Sequence, residues 1–205
     1  MASTTTSRRF PLSQQTIGPF FPADYFQPGD NDLTRISPEA APTSRGDRFN
    51  LTGRVLKEGR EPVANAILEM WQADAGGRFR HPADPQADQA DPDFLGWGRA
   101  WSTGDGAYAF NSIRPGGYTE DGQNRAPHVN IIVMGIGLMR TVGTTLYFPE
   151  NVTENAADPV LSILPQDMRH RLVMRDGGIE DGVQTYSFDI LLRGSWDEET
   201  PFFET

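Results

Sequence analysis

The chain has no cysteine and only 3 histidines in 205 residues. The first absence excludes disulfides and thiolate metal sites, and it fits a reducing compartment such as the cytoplasm. The second limits any imidazole site to His81, His128 and His170. No apolar run reaches the roughly 20 residues of a membrane-spanning helix. The opening MASTTTSRRFPLSQQ carries two arginines with no apolar stretch behind them, which does not read as a secretory signal. Positive charge is also short: a net charge of −10 makes a nucleic-acid backbone an unsuitable partner. No repeat of solenoid length occurs.

Glycine and proline are plentiful, at 21 and 16 residues, spread along the chain in the manner of many short strands joined by turns. Residues 1–48 read as an extended arm. Pro11, Pro19, Pro22, Pro28, Pro38 and Pro42 leave no room for a helix of ordinary length. Phe10, Ile17, Phe20, Phe21, Tyr25 and Phe26 require cover from the domain or from another chain.

Residues 49–205 read as one soluble domain. Residues 49–57 alternate as a half-buried strand. Residues 66–74 put Ile67, Glu69 and Trp71 on one face and Leu68, Met70 and Gln72 on the other; both faces carry apolar residues, as in an inner strand. Residues 76–95, rich in Asp, Pro and Ala, form a long solvated loop whose acid spacing does not match a calcium-binding loop. Residues 98–103 and 107–113 pair as a hairpin about Gly104-Asp105-Gly106. Further strands are expected at 144–148, 171–175, 184–192 and 200–204. Asp158 ahead of Pro159 caps a short helix over 159–164, stopped at Pro165. The sum is an all-β sandwich with an extended N-terminal arm and one or two short helices.

The chemistry concentrates between Gly106 and Phe148. Pro115-Gly116-Gly117-Tyr118 forms a turn, and Arg125-Ala126-Pro127-His128-Val129-Asn130 leads into an apolar strand. His128 and Asn130 are two apart and share a strand face. A tyrosine on a turn beside such a strand gathers oxygen and nitrogen donors, yet one Tyr and one His do not hold an iron. His170 reads as a solvated side chain, and Tyr108, alternating with Phe110, as core.

Four stretches together resemble the intradiol ring-cleaving dioxygenases. They are Gln15-Thr16-Ile17-Gly18-Pro19-Phe20-Phe21, Leu68-Glu69-Met70-Trp71-Gln72-Ala73-Asp74, the run from Gly104 to Pro115-Gly116-x-Tyr118, and Arg125-x-x-His128. The likeness runs from about residue 10 to Phe202-Phe203. It implies a β-sandwich, cleavage of a catechol acid by O2, and a non-haem Fe(III) held by two tyrosinates and two histidines, donors that suit ferric iron. Laid on this chain, the four ligand positions fall on Gln86, Tyr118, His128 and Asn130. Two of them are carboxamides, so the resemblance implies a vestigial site with no metal of its own.

The same losses resemble the alpha-type chains of family members built from two homologous chains. There the beta chain bears the Fe(III), and the alpha chain lends its N-terminal arm to the partner's pocket. The implied partner is an iron-bearing beta chain in an alpha/beta hetero-oligomer. Thr16, Gly18 and Pro19 would then line the pocket, a Gly-Pro bend letting backbone approach a flat ring. Where such alpha chains offer an arginine to the substrate carboxylate, this sequence has Ile136, with Arg140 four residues on. Either Arg140 reaches the same place, or the ring carries another anion such as a sulfonate. Two alternatives stay open: a self-sufficient enzyme with an unusual ligand set, and a non-catalytic β-sandwich binding module using the aromatics near Tyr25 and Phe26.

Overall fold

The computed structural model describes residues 25–195 and 197–203. Among them the strands are β1 (Arg48–Leu56), β2 (Ile67–Trp71), β3 (Trp97–Trp101), β4 (Ala107–Ile113), β5 (Tyr118–Glu120), β6 (Gln123–Arg125), β7 (His128–Met134), β8 (Val142–Tyr147), β9 (Arg175–Glu180), β10 (Val183–Ser187) and β11 (Ile190–Leu191). One α-helix, α1 (Val152–Ala157), lies between β8 and β9.

β1 is the spine of the first sheet. It pairs antiparallel with β4, Leu51 opposite Phe110. On its other side it pairs in parallel with β10 and then β11 in one register, Phe49 against Gln184 and Val55 against Ile190. These two short strands are therefore one line interrupted at Phe188 and Asp189. Gly53 stands beside the interruption: a Cβ there would lie 1.7 Å from the Phe188 carbonyl oxygen, so the close passage requires glycine. The Tyr108 hydroxyl donates to the same carbonyl at 2.7 Å. β9 covers β10 at the edge, with every residue exposed.

The second sheet has the order β3-β2-β7-β8, antiparallel throughout, with β2 flanked on both sides. Alternation sends Leu68 and Met70, Val129, Ile131 and Val133, and Leu146 inward against Phe49, Leu51, Val55 and Phe110 of the first sheet. That interdigitated layer is the core of a β-sandwich. The opposite face of the second sheet carries Trp71, His128 and Asn130. β5 and β6 form a separate two-stranded ribbon over the end of this face.

The described part of the arm packs on its own domain. Leu33 is fully buried, and its N–H donates to Asn111 O at 2.9 Å. The Asn111 N–H donates in turn to Asn31 O, and the Phe26 ring lies 4.3 Å from that of Trp101.

Five local expectations need correction. Residues 98–103 and 107–113 do not pair as a hairpin: the turn about Gly104 and Gly106 carries the chain from one sheet to the other, β3 pairing with β2 and β4 with β1. Residues 171–175 are not a strand: a 3-10 turn over Arg169–Leu172 precedes β9, so Leu172 and Met174 reach the core from irregular backbone. The helix expected over 159–164 is only a 3-10 turn over Leu161–Ile163, and the true helix, α1, comes earlier. Asp158 nonetheless caps that turn, its Oδ1 accepting from the N–H groups of Val160 and Leu161. The loop over 76–95 is anchored rather than freely solvated, with Asp91 and Phe94 buried. The expected strand over 200–204 is reduced to a single bridge, Phe203 to Gly143.

Candidate functional site

β2 and β7 place Trp71 directly opposite Asn130 on the outer face of the second sheet. His128 lies two residues before Asn130 on the same face. The turn ahead of β5 swings Tyr118 over this patch. Interlocked backbone holds that turn in place. The Asp74 carbonyl accepts from the Gly116 N–H at 2.8 Å, and its Oδ1 accepts from the N–H groups of Gly76 and Arg78. Gly77 adopts φ +76°, and a Cβ there would stand 2.2 Å from the Gly117 carbonyl oxygen. The Gly-Gly pair after Ala75 thus lets two turns touch and fixes the wall on which Phe79 and Tyr118 meet, ring centroids 5.0 Å apart and edge to face.

The space enclosed is a cavity of about 650 Å3, walled by Trp71, Phe79 and Tyr118 and by Gln86, Asn130 and Arg125. Of the four expected ligand positions, Gln86, Tyr118 and Asn130 line it. His128 lies immediately behind, its Nε2 3.4 Å from the Tyr118 hydroxyl. The residues are therefore brought together. His81 lines the same cavity beside Trp71. His170 is exposed at a 3-10 turn elsewhere. A second depression, of about 730 Å3, lies between the arm and strands β1, β3 and β4; its charged Arg99 is already taken by Glu69 and the Tyr25 ring.

His128 is 3% exposed, and burial lowers its pKa to about 4. The ring is neutral, with Nδ1–H donating to Ala126 O at 2.6 Å. That bond fixes the tautomer and leaves the Nε2 lone pair facing Tyr118. Burial pushes the Tyr118 phenol up to about 12, Arg125 above its ring opposing this only in part. Behind both residues, Arg125 donates to Asp158 Oδ2 at 3.1 Å and to Glu120 at 2.7 Å. The Tyr147 hydroxyl donates to Asp158 Oδ1 at 2.8 Å. Burial would raise the Asp158 pKa, but the Leu161 N–H, Tyr147, the Ala126 N–H and Arg125 together hold it below the carboxylate range.

The amides are differently disposed. Asn130 Oδ1 accepts from Thr145 Oγ1 at 2.9 Å, across the β7–β8 pair. Gln86 Oε1 accepts from Arg78 Nε at 3.4 Å. Each therefore has its amide oxygen, its one metal-donor atom, engaged by the protein. For a ferric ion this is a poor set: one phenol, one imidazole, and two neutral amides whose oxygens are engaged.

Arg140 and Ile136 sit on the exposed connection after β7, about 20 Å of strand from His128. Arg140 does not line the Tyr118 cavity. Thr16, Gly18 and Pro19 lie outside the described residues. Sequence reasoning gave no role to Trp71, Phe79 or Asp158 at this site. Trp71 stood within a family-like stretch and was open to reading as a wall; Phe79 lay in the loop read as solvated, and the Asp158 link to Arg125 spans 33 residues and leaves no local signal.

Comparison with known proteins accords with this architecture. The dioxygenase family profile matches residues 17–194. The protocatechuate 3,4-dioxygenase alpha chain of Burkholderia cepacia is 33% identical over 208 residues, covering 98% of this chain and 99% of that one. The beta chain of the enzyme from the same organism is 36% identical over 182 residues, covering 86% of this chain and 77% of that one. In fold, the dioxygenase domain of a dioxygenase carbohydrate-binding protein fusion from Streptomyces sp. SirexAA-E superposes with a TM-score of 0.55 at 22% identity, over 91% of this chain and 100% of that one. With the profile spanning most of the chain and a relative matched along its full length, the chain belongs to the intradiol dioxygenase family.

Proposed function

We propose that this chain is the iron-free, alpha-type subunit of a two-chain intradiol dioxygenase acting on a catechol acid, in the first instance 3,4-dihydroxybenzoate. The assembled enzyme breaks the ring bond between the two hydroxylated carbons and adds both atoms of O2, giving 3-carboxy-cis,cis-muconate. The Fe(III) belongs to a homologous beta-type partner, and this chain supplies pocket wall and assembly surface. One observation carries the reading: at the four ligand positions of the family, the two amides have their oxygens committed to Thr145 and Arg78. The match along 99% of the alpha-chain relative, against 77% of the beta-chain relative, supports the same side.

The test is to purify the full chain alone and together with a co-expressed iron-bearing homologue. Alone, it should carry far less than one iron per chain and lack tyrosinate-to-iron absorption. The complex should show that absorption and cleave the ring. Stoichiometric iron and ring cleavage by the lone chain would overturn the proposal in favour of a self-sufficient enzyme.

A second reading concerns only the ring substituent. Ile136, 52% exposed, stands where an arginine for a carboxylate is expected. Assay of the complex with 3,4-dihydroxybenzoate beside 4-sulfocatechol decides it, a preference for the sulfonate replacing the carboxylate assignment.

A further inference from the structure

We propose that the cavity around Tyr118 binds a single-ring aromatic carboxylate without a metal, its ring against Trp71, Phe79 and Tyr118 and its carboxylate on the amide nitrogens of Asn130 and Gln86. The inference rests on the reading that this chain carries no iron, and it assigns the emptied site a ligand of its own.

The cavity has the size of a small-molecule site and more room than one ring needs. Three rings line it in edge-to-face contact, Trp71 with Phe79 at 5.4 Å and Phe79 with Tyr118 at 5.0 Å. Trp71 remains 44% exposed at its mouth and offers ring surface that a flat ligand can cover.

Polarity decides the substituent. The acceptors around the cavity are largely spoken for. Asn130 Oδ1 takes the Thr145 hydroxyl, and Gln86 Oε1 takes Arg78. Asp84 accepts from the N–H groups of Phe79 and Gln86, Glu120 from Arg125, and His128 Nε2 from the Tyr118 hydroxyl. The amide nitrogens of Asn130 and Gln86 have no hydrogen-bond partner among the described residues. Aromatic walls with two unspent amide donors suit a ring bearing a two-oxygen acceptor such as a carboxylate, the Asp84 and Glu120 carboxylates of the same wall being engaged by backbone N–H groups and Arg125.

The probe is 4-hydroxybenzoate, which lacks the adjacent hydroxyl pair needed to chelate iron. Calorimetric titration of the full chain after chelator treatment should give a saturable site with a Kd of the order of 0.1–1 mM. Binding of 4-methylphenol, without the carboxylate, should be about tenfold weaker or worse. Asn130→Asp should weaken the acid by about tenfold through charge repulsion. Gln86→Glu, on an exposed loop where folding is spared, should act in the same direction. Tryptophan fluorescence should be quenched on binding in the natural chain and not in Trp71→Phe. Absence of saturable heat up to about 10 mM, equal affinity for acid and phenol, or unchanged affinity in both amide variants would each overturn the proposal. Iron absorption in the protein before chelation would overturn the iron-free reading instead, and titration of the stripped chain would still decide this one.

Discussion

At His128 the buried imidazole stays neutral because its Nδ1–H is bound to Ala126 O and its Nε2 faces the Tyr118 hydroxyl. Burial sets its folded pKa at about 4, against 6.5 in an open chain. Above 6.5 both states are neutral and the favourable contribution is fully present. Below 6.5 the unfolded chain takes up a proton that the fold refuses, so stability declines until the folded pKa near 4 is passed. A shift of this size amounts to about 3 kcal/mol over that window. His128→Gln should flatten the slope of unfolding free energy between pH 6.5 and 4, as measured by urea titration across pH; an unchanged slope would remove His128 as its source. The same residue scale sets what the sequence disclosed of the site. Spacing put His128 and Asn130 on one strand face, and the family resemblance added Tyr118 and Gln86 to them. The state of the amides was not legible, since Thr145 pairs with Asn130 across a hairpin, and strand register is a tertiary fact.

At the scale of elements, glycine at 53 decides whether β10 and β11 can follow one line along β1. The Phe188 carbonyl occupies the place of the missing Cβ while accepting from Tyr108, and the Phe188 N–H donates to Thr52 O. Gly53→Ala should cost about 2–3 kcal/mol, because the neighbour that must move is hydrogen-bonded backbone rather than a flexible side chain. Gly104→Ala, where nothing lies within 4 Å of the added atom, is the control and should stay within about 0.5 kcal/mol. Chemical denaturation of both variants checks this, and equal stabilities would remove the steric argument. The strands were mostly readable because alternation persists along β1 and β4, and because β2 and β7 carry apolar residues on both faces over a length suited to an inner strand. Short pieces were not. Asn151 and Glu154, spaced three apart at the start of α1, form a helix-opening pattern that the stronger-looking Asp158-Pro159 obscured. Leu172 and Met174 imitate a strand because two buried side chains with one residue between them satisfy a period of two without a strand being present.

For the molecule as a whole, the question is whether the segment before β1 is an accessory or a component of the core. The sequence suggested an arm beginning at residue 1 and a domain beginning at 49, since only prolines and scattered aromatics were visible before that point. In the fold, Leu33 lies in the same cluster as Leu51, Met70 and Phe110, with no exposed surface. Its flanks are bonded into both sheets: the Arg99 N–H donates to Asp30 O at 2.7 Å on the β3 side, and the Leu33 N–H donates to Asn111 O on the β4 side. A residue clamped between the edges of two sheets cannot be withdrawn without opening the sandwich. Leu33→Ala should therefore cost about 3 kcal/mol. For a chain of this size each kcal/mol lowers Tm by about 2–4 °C, which places the expected shift near 6–12 °C. The decisive feature is the shape of the transition. If the segment is part of the core, calorimetry of the variant will show one cooperative unfolding event displaced as a unit. If it is a strap that detaches first, a separate low-temperature event will appear while the main transition stays where it was, and the single-core description fails.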